Sequence, residues 1–96
     1  LVRVAGPALA AFGVSGALAN PRLTVMSGAD VVASNDDWGN RVEIQQAWLR
    51  NGAFPLPQNS LDAATLVVLN PGAYTVIGQG VNNTTGVALT EVYEVP

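Results

Sequence analysis

Three residue types are missing from this chain: it has no cysteine, no histidine and no lysine. Without Cys and His there is no disulfide framework, zinc site, haem or iron–sulfur ligation, and no catalysis that rests on a thiolate or an imidazole. Ser15, Ser27, Ser34 and Ser60 have neither a His nor a Lys to activate them, which argues against a serine nucleophile. The four cations are all Arg and lie scattered, so the clustered positive charge that a nucleic-acid binder needs is lacking. Charge of either sign is scarce, at 11% of residues against about 25% in an average soluble domain. Groups suited to acid–base work are correspondingly few, so no enzyme is expected. No apolar run approaches the ~18 residues of a membrane span. No signal peptide is recognisable, and the chain opens on Leu1 rather than Met, which reads as a processed piece of a longer precursor.

The remaining composition is 49% apolar, close to the usual share, and neutral polar residues replace the missing charge: 8 Asn, 4 Gln, 4 Ser and 6 Thr. The net charge is -3, and the 96 residues suit one domain.

The first residues, Leu1-Val2-Arg3-Val4-Ala5, are β-prone and stop at Gly6-Pro7. Pro7 suits a first helical position, residues 8–12 suit a short helical turn, and Gly13 suits a left-handed cap. Residues 23–27 and 31–34 read as a hairpin around Gly28-Ala29-Asp30. The stretch 35–40 is turn-forming by residue type. Asn40, three residues before Glu43, resembles a capping box with Asn in place of Ser or Thr. Val42, Ile44, Ala47 and Trp48 then recur at helical spacing until Asn51-Gly52, which predicts a helix of about ten residues. Residues 61–69, 73–79 and 87–95 read as strands joined by short turns, an antiparallel meander. Six strands and one short helix predict an all-β fold: a small antiparallel β-sandwich over residues 1–96.

Half-exposed strands alternate apolar and polar residues, and these do not. Leu66-Val67-Val68-Leu69 is apolar on both faces, and so are the stretches around Tyr74-Val76-Ile77 and Val87-Leu89-Val92-Tyr93. Either the helix and long loops cover the outer faces, or a partner chain does.

Several stretches carry a family likeness. Gly6-Pro7-Ala8-Leu9 resembles an opening "GPxL". The stretch from Leu23 to Trp38 resembles a strand–turn element ending "ASNDxW". Residues 60–76 resemble "DAxLxxxLxPGxYT", and residues 85–94 resemble "TGVALxEVY". Together these cover nearly all of the chain and are similar to a β-sandwich module of secreted bacterial proteins, more remotely to pre-peptidase C-terminal domains. The resemblance implies a jelly-roll-like sandwich, an extracellular or cell-surface location and no catalysis; some relatives bind calcium or polysaccharide. It also implies a further β segment ahead of the first strand. A sandwich lacking that segment offers a groove to a strand from a neighbouring subunit.

Three candidate sites follow. Asn35, Asp36, Asp37 and Asn40, with Asp30 or Glu43 in support, are the densest group of oxygen donors and the candidate ligands for calcium; the competing reading is plain turn chemistry. Asp36 and Asp37 as a hydrolytic pair is disfavoured, because neighbours in sequence point apart. Trp38 is either an exposed platform for a carbohydrate ring or a plug over the end of the sandwich, whereas Trp48, in phase with Ile44, is core. Leu1, Val2 and Val4 either pair within their own sandwich or join a neighbouring subunit. The expected function is a structural or adhesive module that self-assembles into a filament or multimer. The alternative is a calcium- or polysaccharide-binding accessory domain.

Overall fold

The computed structural model describes residues 1–95. Six strands form two antiparallel three-stranded sheets: β1 (Val2–Ala5), β2 (Pro21–Ser27), β3 (Asp30–Asn35), β4 (Ala63–Thr65), β5 (Thr75–Gly80) and β6 (Leu89–Val92). Their orders are β4-β1-β6 and β3-β2-β5. The all-β sandwich and its single α-helix, α1 (Val42–Asn51), are as expected.

The meander is not. The last three strands never pair with one another. β4 and β6 flank β1, at Val2↔Thr65 and Val2↔Val92, whereas β5 crosses to the other sheet and pairs with β2. Turn chemistry between neighbours signals a reversal but does not say which strand lies beside which. The strand expected over 61–69 shrinks to three residues, and that over 87–95 to four.

The side chains of β1 explain the unusual apolar pattern. Val2 and Val4 point between the sheets, where they pack with Leu23, Val25 and Ala63. Leu1 and Ala5 point the other way, into a cluster with Leu9, Trp38, Ile44, Trp48 and Leu56. The sheet β4-β1-β6 is therefore a middle layer, covered on its second face by α1 and the long loops. A strand buried on both faces needs no polar alternation. Fully burying each large apolar side chain supplies about 1.5–3 kcal/mol, so these two clusters carry most of the stability.

Local signals place the covering layer. Pro7–Phe12 is a short 3₁₀ helix with Pro at its start and Gly13 at its left-handed end. Helix α1 buries Ile44, Ala47 and Trp48 and ends at Gly52 (φ 66°), whose N–H reaches the Leu49 and Trp48 carbonyls. The expected capping box is absent. Arg41 is the N-cap and makes no side-chain cap. Asn40 sits at φ 55° and exchanges 2.7 Å hydrogen bonds with Asn59 instead.

Candidate functional site

In the loop at 35–40 the side chains of the proposed calcium ligands take different partners. The Asn35 side-chain oxygen accepts the Ala64 N–H at 3.0 Å and so faces the sandwich. The Asn40 amide is committed to Asn59. Asp36 and Asp37 are left side by side. Burial, reinforced by the Asp36 charge and a hydrogen bond with it, pushes the Asp37 carboxyl above its ordinary value of 3.8. Among the described residues no group of three or more Asp, Glu, His or Cys side chains could hold a metal. Asn35, Asp36 and Asp37 line one concavity, while the Asn40 side chain is bonded to Asn59.

Trp38 corrects the platform expectation. It is fully buried, 5.0 Å between ring centroids from Trp48 and tilted by 58°. Its indole N–H donates to the Pro57 carbonyl (3.2 Å) and the Ser60 hydroxyl (3.1 Å). It is the plug, and no ring face is free for a sugar.

That plug belongs to a polar node which sequence reading did not single out. Asp62 is fully buried, and its carboxylate accepts the N–H of Gly6 (2.7 Å), the N–H of Ala8 (3.1 Å) and the Ser60 hydroxyl (2.7 Å). Its carbonyl accepts the Trp38 N–H at 2.9 Å. A buried carboxylate is tolerated when its lone pairs are filled in this way. Gly6 is needed there because a Cβ would collide with the Leu18 carbonyl oxygen. Residues at 6–8, 38 and 60–62 thus meet at one point, and the only signal available beforehand was a lone Asp in an apolar stretch.

A second buried charge lies on β1, the central strand of the middle layer. The Arg3 guanidinium donates to the Phe54 carbonyl (2.7 Å) and to Glu91 (3.1 Å), and lies 4.4 Å over the Phe54 ring. The Tyr93 hydroxyl donates to the second oxygen of Glu91. Asp62 and Arg3 are themselves fully buried, while Ser60, Glu91 and Tyr93 around them are half-buried.

Leu1, Val2 and Val4 are buried within the chain's own sandwich. β1 is paired on both edges, so these residues are not a free strand offered to a neighbour. The ladder reaches the first residue: the Leu1 amine donates to the Tyr93 carbonyl at 2.9 Å, and the Tyr93 N–H returns to Leu1 at 2.8 Å.

Two surface features remain open. An apolar groove of about 600 Å³ begins at Leu1 and Val2, with residues 66–69 on one wall and 92–95 on the other. Val68 in that wall is 98% exposed and Val92 66% exposed. On the outer face of β3-β2-β5 lies a polar concavity of about 610 Å³, lined by Arg22, Thr24, Ser34, Asn35, Asp36 and Asp37 among others.

No helix among the described residues is long and apolar enough to cross a membrane. No family model matches the chain, and no curated protein or solved structure matches it.

Proposed function

We propose that this chain is a non-enzymatic extracellular structural or adhesive module that self-associates by strand pairing and apolar packing. One observation carries the reading: a groove walled by Leu66, Val67, Val68, Leu69 and Val92 is left uncovered among the described residues, with Val68 98% exposed in it. Leaving such a surface in water forfeits roughly 25 cal/mol for each Å² of apolar area, and an occupying strand recovers that. Low charge and the absence of Lys support the same reading, since charged edges are the usual guard against strand pairing. The test is sedimentation velocity across a concentration series. Species larger than one chain that grow with concentration are expected, and a single monomer throughout removes the proposal.

A second reading has its own observation. The concavity beside Asp36 and Asp37 combines a guanidinium, hydroxyls and carboxylates, a set that can hydrogen-bond the hydroxyls of a polysaccharide. It makes the chain an accessory binding domain, with calcium as the candidate cofactor at the two carboxylates. Affinity electrophoresis in polysaccharide gels and thermal melting in millimolar calcium test it. Unretarded migration together with an unchanged Tm defeats it, because any ligand of the native state raises Tm.

A further inference from the structure

Each sheet ends in two edge strands, and an edge bares backbone N–H and C=O groups with which another strand can pair. Three of the four edges are guarded. β3 opens on Asp30 and carries a bulge, because Val25 and Met26 lie opposite Ala33 and Val31 and leave Val32 without a counterpart. β4 has three residues, and β6 has four with Glu91 among them. β5 has none of these devices. It is six residues long, holds an unbroken register with β2 from Pro21↔Gly80 to Met26↔Thr75, and contains neither charge nor proline. Indeed no residue between Asp62 and Glu91 is charged.

The register tells which groups of β5 are free. Beyond Pro21↔Gly80 the next pair is Asn20 and Val81, and the Val81 N–H donates to the Asn20 carbonyl at 2.9 Å. Hydrogen-bonded pairs alternate along an antiparallel ladder, so Gln79, Ile77 and Thr75 bond to β2 while Gly80, Gly78 and Val76 turn their N–H and C=O away from it. Among the described residues these three meet no other backbone partner. Thr84 lies against Gly80, so the open stretch is 75–79. Val76 packs against the cluster between the sheets, and Ile77 stands on the outer face, 37% exposed.

The β5 of a second copy fits this edge. Two antiparallel copies related by a two-fold axis exchange hydrogen bonds only where outward-turned residues oppose outward-turned residues, so the axis sets one residue opposite itself. Centring on Ile77 pairs all of 75–79, sets Ile77 against its own copy in a non-hydrogen-bonded pair, and sets Val76 beside Gly78 of the second copy. Centring on Val76 or Gly78 leaves part of the stretch unpaired and sets Ile77 against Thr75 or Gln79 instead. Self-pairing brings every charge of a strand close to its own copy, and β5 carries none to repel.

We propose that β5 is a self-pairing edge: two copies join antiparallel about Ile77, turning the sheet β3-β2-β5 of each into one continuous sheet across a closed two-fold dimer. This rests on the self-association reading above and names a strand edge and a symmetry for it.

The test uses variants of the full chain at two positions. Ile77→Lys and Ile77→Glu leave the backbone bonds to β2 in place and are expected to keep the monomer's fold, checked by circular dichroism. Each alone is expected to raise the dimer dissociation constant about tenfold or more, because like charges then face each other. An equimolar mixture of the two is expected to recover association, because opposite charges then meet. Ile77→Cys in this cysteine-free chain is expected to give a disulfide-linked dimer on mild oxidation, since a non-hydrogen-bonded pair holds its Cα atoms about 4.5 Å apart. Val31→Cys, more exposed but on the guarded edge β3, is expected to stay uncrosslinked. Association that ignores Ile77→Lys, a mixture no more associated than either variant alone, or an Ile77→Cys chain that cross-links no faster than Val31→Cys overturns the β5 interface while leaving self-association standing. A wild-type chain that is monomeric at every concentration overturns both.

Discussion

Arg3 and Glu91, 88 residues apart in sequence, face each other across β1 and β6 and share a 3.1 Å hydrogen bond within an ion pair. Arg3 is fully buried, so the pair is judged by what remains when one member goes. Breaking a buried pair strands a charge, at a cost of about 3–5 kcal/mol, whereas replacing both members with apolar residues is often neutral. Glu91→Ala is therefore expected to lose about 3 kcal/mol in urea unfolding, and the double variant Arg3→Met/Glu91→Leu to recover most of it. A double variant as unstable as the single one would show that the charge pair itself is required.

The Asp62 node gives a graded prediction. Asp62→Ala leaves the Gly6 and Ala8 N–H groups buried without an acceptor, and each such group costs about 1–3 kcal/mol. A loss of about 3 kcal/mol is expected, a fall in Tm of about 12–24 °C for a domain of this size. Asp62→Asn keeps one acceptor oxygen and is expected to lose about 1 kcal/mol. Equal losses for the two variants would assign the effect to something other than those two donors.

The Asp36–Asp37 neighbourhood sets a pH dependence. The folded chain holds Asp37 above its ordinary value of 3.8, mainly through burial and then through the Asp36 charge. The native state therefore binds this proton more readily than the unfolded state, and ionised Asp37 detracts from stability at neutral pH. Asp37→Asn is expected to raise Tm at pH 7 by about 1–2 °C, because the carboxylate is largely exposed and screened. Calorimetry below pH 4 should show the gain disappearing, and high salt should shrink it. A constant gain at all pH values would point away from charge.

The Leu1 amine behaves in the opposite sense. Burial lowers it from its ordinary value of 8.0, so the unfolded chain binds a proton over a range in which the folded chain has released it. Stability is expected to rise as pH climbs toward 8.0 and to level off above it. Acetylating the amine should erase that slope while keeping the N–H that donates to Tyr93. A slope that survives acetylation would assign it to another group.

Features governed by neighbours in sequence were legible beforehand. The hairpin around Gly28, the turn from Pro7 to Gly13 and the ten residues of α1 each depend on signals within a few positions. The pairing of the last third was not, because β4, β5 and β6 choose partners 49 to 90 positions away in sequence and no local residue encodes that choice. The site readings divide in the same way. The polar loop around Trp38 suggested exposure, yet acceptors 19 and 22 residues later let the indole bury itself. Asn35 and Asn40 looked like free oxygen donors until Ala64 and Asn59, both distant in sequence, took them. Asp62 escaped notice because its partners lie 54 and 56 residues upstream.

The central place of β1 has a consequence in time. β1, the earliest of the six strands in chain order, waits for residues 63–65 for one neighbour and for residues 89–92 for the other. Until then a nascent chain exposes an apolar strand whose arginine has no counterion. Pairings over such spans are slow to form, and an unpaired strand is open to the wrong partner in the interval. Folding is therefore completed only when almost the whole chain has emerged, and chains cut short of β6 are expected to aggregate rather than to fold in part.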